Sequence, residues 1–187
     1  MPSKNKDKLL EVAQTLVQEK GYQGFSFHDL SAAVGITTAS IHYHFPKKED
    51  LALALMARYR ENVLEAFDEI AVKKAKAGDQ LKAVIKIYRE ALGGCDMLCL
   101  CVAFSSGPDS LNPDILSEIH KFQNGARDRL ATMFALGAKD GSIEAVGKPA
   151  DEAAACLALL QGAQLVARAA GDLKSFDLAA NVLKARI

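Results

Sequence analysis

The residues best suited to chemistry crowd into one stretch, GITTASIHYHFPKKEDL, from Gly35 to Leu51. Thr37, Thr38 and Ser40 bring hydroxyls, Tyr43 a phenol, His42 and His44 imidazoles, and Lys47 and Lys48 ammonium groups. The two histidines are two apart, so on a helix they point to different faces. A zinc site favours i, i+4 spacing, as in H-E-x-x-H, so no metal site is expected here. A second cluster, Cys95, Cys99 and Cys101, reads C-x-x-x-C-x-C and matches no zinc spacing. Its one charged neighbour, Asp96, would raise a thiol pKa. These cysteines, with Cys156 in an Ala-rich run, are expected to pack as small hydrophobes. Cysteine-based redox or electrophile sensing is an alternative, as is an enzyme pairing a cysteine with His120. No nucleophile elbow, P-loop or dinucleotide fingerprint appears, so no catalytic residue and no cofactor are expected. What the first stretch suits is hydrogen bonding to phosphates and base edges.

The elements that must position these groups read as helices throughout. Period-two alternation and hairpin turns are absent from the sequence, which predicts an all-α fold. Lys6–Lys20 carries Leu9, Val12, Ala13, Leu16 and Val17 on one face and stops at Gly21. Ser26-x-x-Asp29 resembles a capping box and opens a helix that Gly35 ends. Thr37 caps a third helix to Phe45, where Pro46 forces a break. Two helices joined by a tight Gly-containing turn, over about residues 26–45, are a helix-turn-helix unit. Its second helix would lie in the DNA major groove, with Ile41 and Phe45 facing inward. Lys47 and Lys48 begin the next helix, where free N–H groups already favour an anion.

Further helices are expected from about Lys47 to before Gly78, Asp79 to Leu92, Cys95 to Ser106, Asn112 to Leu136, Pro149 to Ala170 and Phe176 to Arg186. Gly107-Pro108 reads as a loop. The tail Ser3–Lys8, with Lys4, Lys6 and Lys8, is either a solvated end or an arm that touches the DNA backbone or minor groove.

Composition sets the outer limits. Lys and Arg total 23 and so do Asp and Glu, which excludes a strongly basic nucleic-acid coat but not a local patch. Residues 1–64 are only slightly basic, with 8 basic and 7 acidic side chains. No apolar h-region follows the N-terminus, and an uninterrupted apolar run such as Met97–Phe104 is too short for a bilayer core of roughly 30 Å. A cytoplasmic protein without membrane contact, with reduced cysteines, is therefore expected.

The segment from Phe25 to Leu51 resembles the DNA-binding domain of the TetR/AcrR family of bacterial repressors. The pieces that carry the likeness are Asp29-Leu30, Ala33-x-Gly35-Ile36, Tyr43-His44-Phe45 and Lys48-Glu49-x-Leu51. It covers about residues 3–63. It implies an N-terminal helix-turn-helix domain over 3–63, followed by a larger helical ligand-binding and dimerisation domain over 64–187. It implies a homodimer on a double-stranded DNA operator, a cavity for a small-molecule effector in each body, and release of DNA when that effector binds. It points to Thr38, Ser40, Tyr43, His44 and Lys48 as operator contacts. Two positions depart from the family pattern. His42 stands where an aromatic residue is usual, and Lys47 replaces a small polar cap, adding a candidate phosphate contact.

In the body, the helix from Asp151 to Ala170 is apolar nearly all round, more than one chain of this size needs. Helices 113–136 and 150–170 are therefore expected to form a two-fold seam. Candidate pocket residues are the polar or aromatic positions among apolar body helices: Tyr88, Cys99, Phe104, His120, Gln123, Gln161 and Gln164.

Overall fold

A computed structural model describes residues 4–105 and 111–187. Among the described residues there are nine helices and no strand. They are α1 (Lys4–Lys20), α2 (Phe27–Val34), α3 (Thr38–His44), α4 (Lys48–Lys73), α5 (Ala77–Glu90), α6 (Leu100–Ser105), α7 (Pro113–Asp140), α8 (Pro149–Ala170) and α9 (Leu173–Lys184). The chain divides into two compact units. The first takes residues 1–61 and 100–120, the second 62–99 and 121–187.

The first unit buries one face of each short helix. Leu9, Ala13 and Val17 of α1, Leu30 of α2, Ile41 of α3 and Leu51 and Leu55 of α4 are fully enclosed. At about 25 cal/mol per Å² of apolar surface, each such Leu, Ile or Val side chain contributes roughly 1.5–3 kcal/mol. α6 belongs here because Phe104 packs against Tyr22, ring centres 5.3 Å apart. The start of α7 belongs here too, tied by Arg60 Nε to Glu118 Oε2 at 2.9 Å. The boundary expected near residue 63 thus falls within α4, and residues 100–120 join the first unit.

The second unit centres on Phe67, Phe122, Phe134 and Phe176, all buried. Two forked pairs hold α9 and its tail: Arg89 to Asp177 at 2.7 and 2.9 Å, and Arg186 to Glu152 at 2.8 and 3.0 Å. The bidentate fork fixes direction as well as distance.

Several boundaries differ from the sequence reading. α5 starts at Ala77, not Asp79, because its leading amides are capped from afar. Ala77 N donates to Asp140 Oδ2 and Gly78 N to Ser142 Oγ, at 3.0 and 2.8 Å. α7 runs to Asp140, beyond the expected end at Leu136, and α9 starts at Leu173, capped by Asp172. The helix expected from Cys95 begins only at Leu100. Residues 91–96 form turns, with Cys95 itself left-handed at φ 74°. Gly93 suits the turn at φ 56°, in the left-handed region that favours glycine. Cys95 and Cys99 therefore share no helix face. Gly107-Pro108 lies outside the described residues.

α8 is long and apolar enough to cross a bilayer by composition, which the eight-residue run Met97–Phe104 understated. One face of it packs within the second unit, with Ala153, Cys156, Leu157, Leu160, Ala163 and Ala167 buried. Gln164 at its middle is fully buried, accepting from Cys99 N at 3.2 Å and donating to the Tyr88 carbonyl at 2.6 Å. An apolar residue at 164 would remove both bonds, at about 1–3 kcal/mol each.

Candidate nucleic-acid interface

The interface is built from local capping upward. Ser26 Oγ accepts from Asp29 N at 3.2 Å, and Asp29 Oδ2 accepts from Ser26 N at 2.8 Å, a reciprocal box that starts α2. The Ser26 hydroxyl also donates to Asp29 Oδ2 at 2.6 Å, and this bond, with the one from Ser26 N, holds the Asp29 carboxyl below its ordinary pKa. Its folded pKa is thus lower than its unfolded one. The stabilisation is present above the unfolded value of 3.8 and is lost as pH falls through the folded value. Ser26→Ala is expected to cost about 1 kcal/mol of unfolding free energy, read by urea titration.

Gly35 ends α2 at φ 77°, in the left-handed region that favours glycine. The turn is tied by Ser31 Oγ to the Ile36 carbonyl at 2.6 Å. Thr37 then caps α3, accepting from Ser40 N at 3.2 Å, with its hydroxyl 3.0 Å from that of Ser40. Ile41 and Phe45 are buried, so they anchor α3 from beneath. Thr38, Ala39, Ser40 and Tyr43 are left on the outside, Tyr43 at 85% exposure. An aromatic ring so exposed has little packing role in this unit. His44 is half-buried, edge-on to Tyr43 with centres 5.2 Å apart.

His42 serves the turn. Its Nδ1 donates to the Pro46 carbonyl at 3.1 Å, since that oxygen can only accept, and its ring meets Phe27 edge-on at 5.0 Å. Lys47 is exposed, with its amide on Asp50 Oδ2 at 2.9 Å at the start of α4.

Lys48 turns inward. Its Nζ donates to the Phe25 carbonyl at 2.5 Å and lies 4.7 and 4.5 Å from the Tyr22 and Phe25 ring centres. Burial lowers its pKa, opposed by the Glu49 and Asp29 carboxylates. Burial likewise raises the Tyr22 phenol to about 12, helped by Glu49. The aromatic partners of His42 and Lys48 had no signal in local spacing. They come from the α1–α2 connection and from α2.

The residues expected to line an effector pocket separate. Tyr88, Cys99 and Gln164 come together through the Gln164 side chain. Gln161, one turn earlier on α8, has a buried Nε2 without a hydrogen-bond partner. Gln123 is half-exposed on α7 in the same unit. Phe104 is core of the first unit against Tyr22, and His120 is exposed at that unit's end of α7. All four cysteines are buried. Burial and then Glu152 push the Cys156 thiol up to about 12, far from a thiolate at neutral pH.

On α7 the apolar side chains Phe122, Ala126, Leu130 and Phe134 are buried within the second unit. Its outward face carries Asn124, Arg127 and Asp128, which with Ala131, Ala150 and Ala154 line a groove of about 440 Å³. α8 presents Ala154, Ala155, Ala158, Leu165, Val166 and Ala169 outward, a continuous apolar stripe.

Known proteins give this arrangement a context. Residues 9–55 match the family described as bacterial regulatory proteins, tetR family. A TetR-family transcriptional regulator from Agrobacterium tumefaciens is 30% identical, with a TM-score of 0.92 over 100% of this chain and 99% of that one. A TetR regulator from Legionella pneumophila is 28% identical, with a TM-score of 0.87 over the full length of both. The HTH-type negative transcriptional regulator IcaR of the biofilm operon icaADBC in Staphylococcus epidermidis is 29% identical over 134 residues, 69% of each chain.

Proposed function

Because the chain belongs to the TetR family of bacterial transcriptional regulators, we propose that it is a homodimeric repressor released from its operator by a small-molecule effector. The observation that carries this is the outward face of α3, held by buried Ile41 and Phe45 and exposing Thr38, Ser40 and Tyr43. Short side chains at Thr38, Ala39 and Ser40 let the helix backbone sit deep in a major groove. Their hydroxyls and methyl groups suit base edges. Tyr43, His44 and Lys47 flank them as donors to phosphate. Thr37 and His42 hold α3 in place through their bonds to Ser40 and Pro46, and Lys48 braces the head from within.

Repression is the sense suggested by the S. epidermidis relative, a negative regulator by name. Residues 3–63 serve DNA binding, and residues 64–187 serve dimerisation and effector binding. The outward stripe of α8 and the polar face of α7 are the seam. The effector would be an apolar molecule with one polar anchor, set against Gln161 and the Tyr88–Gln164–Cys99 cluster. Effector and operator would each favour one of two shapes, so each weakens the other equally. The protein would act in the cytoplasm, on chromosomal DNA, with no turnover of its effector.

The test is to sequence genomic fragments retained by the purified protein. A recurrent two-fold site with half-sites a helical turn or more apart is expected. Random recovery would overturn the reading. On such a fragment Thr38→Phe should cost at least tenfold, about 1.4 kcal/mol, while affinity for random duplex changes little. Equal losses on both would remove Thr38 from the base-reading face.

A further inference from the structure

The surface that α3 presents continues onto α1. Asn5, in the first turn of α1, joins Ala39, Ser40, Tyr43 and His44 around one open depression of about 590 Å³. Asn5, Ser40 and Tyr43 are exposed. The first turn of α1 is tied to the end of α3, because the Lys6 ammonium lies 5.4 Å from the centre of the Phe45 ring. Leu9, one turn on, is fully buried.

The chemistry of the rim selects its occupant. An amide NH₂, a hydroxyl, a phenol and an imidazole surround the depression, and each can donate a hydrogen bond. No carboxylate is among the lining residues. Such a set fits an anion whose oxygens only accept. In duplex DNA that is the backbone phosphodiester. Two of the α3 residues at its rim, Tyr43 and His44, end that helix, whereas base edges meet the N-terminal residues of a recognition helix.

We propose that Asn5 is a DNA-backbone contact, its side-chain amide donating to the phosphate held by Tyr43 and His44, so that α1 and α3 grip one phosphodiester between them. The assignment rests on the reading of α3 as the DNA-facing helix. It makes the first turn of α1 part of the interface, the second of the two readings open for the tail in the sequence.

The experiment measures affinity against salt for a random-sequence duplex and for a genomic fragment that the wild-type protein retains. Asn5→Ala should weaken both by a similar factor, roughly three- to tenfold for one lost hydrogen bond, with the salt slope unchanged because no charge is removed. Asn5→Lys should steepen the slope by about 0.9, one more released counterion. Asn5 is exposed, so neither variant should alter the melting temperature. Unchanged affinity of Asn5→Ala on both duplexes, or an unchanged slope for Asn5→Lys, would overturn the proposal. Loss on the genomic fragment alone would overturn it too, by making Asn5 a base reader. Tyr43→Phe and Lys47→Ala run in parallel. If they weaken binding while the Asn5 variants do not, the role of α3 stands and only that of Asn5 falls; if they too do nothing, the reading of α3 fails.

Discussion

Val166→Glu is expected to yield a folded monomer that has lost its operator. Val166 is 60% exposed on α8 in the single chain, so a carboxylate there meets water and leaves the protomer intact. In a two-fold seam the same carboxylate is buried, and it is buried twice, because an isologous interface repeats each substitution. An unpaired buried charge costs several kcal/mol, enough to dissociate an ordinary dimer at micromolar concentration. The mass in sedimentation should fall from twice 20.1 kDa to that value. Operator affinity should then fall by about 10²–10⁴, the factor lost when a second head no longer binds at high effective concentration. Affinity for a single half-site should barely change. Ala158→Glu, on the same outward stripe, should act alike. A Val166→Glu protein that remains dimeric would move the seam away from α8. A monomer that holds the operator at full strength would remove bivalency from the mechanism.

The same stripe shows where sequence reasoning reached and where it stopped. An apolar surplus on α8 was legible because composition alone exceeds what one chain can cover. Which side faces outward was not, since Gln164 is fully buried and Val166, two residues on, is exposed. On α7 the apolar period marks the protomer's own core, so that helix offers a seam its polar residues. The reading head was more legible than the body. Its boundaries are set by neighbours in sequence: Ser26 with Asp29, the left-handed Gly35, Thr37 with Ser40, and Pro46. The start of α5 was hidden because its caps, Asp140 and Ser142, lie more than sixty residues away. The stretch around Cys95 reads as an apolar helix, but Gly93 and the left-handed Cys95 turn the chain first, and Gln164 satisfies Cys99 N from another helix.

Lys47 and Lys48 adjoin in sequence and are expected to separate in their effects. A phosphate contact releases about 0.9 counterion, so Lys47→Ala should flatten the salt slope by about that amount on any duplex and leave stability alone. Lys48→Met keeps the aliphatic stem and removes the ammonium from the Phe25 carbonyl and the Tyr22 and Phe25 rings. Two half-buried cation–π contacts and one charged hydrogen bond, less the cost of burying the ammonium, are together worth about 1–2 kcal/mol. The melting temperature should fall by a few degrees, while the salt slope stays within error. Operator binding should weaken modestly at higher temperature, as the brace between α4 and the α1–α2 connection loosens. The opposite result, a flattened slope at unchanged melting temperature, would mean that the Lys48 ammonium leaves Phe25 to meet a phosphate when DNA arrives. Lys48→Arg separates the two cases further. Its charge is retained for a phosphate, but its planar fork does not reproduce a compact ammonium against two rings and one carbonyl. A brace predicts that arginine fails to restore the melting temperature; a phosphate contact predicts that it restores the slope.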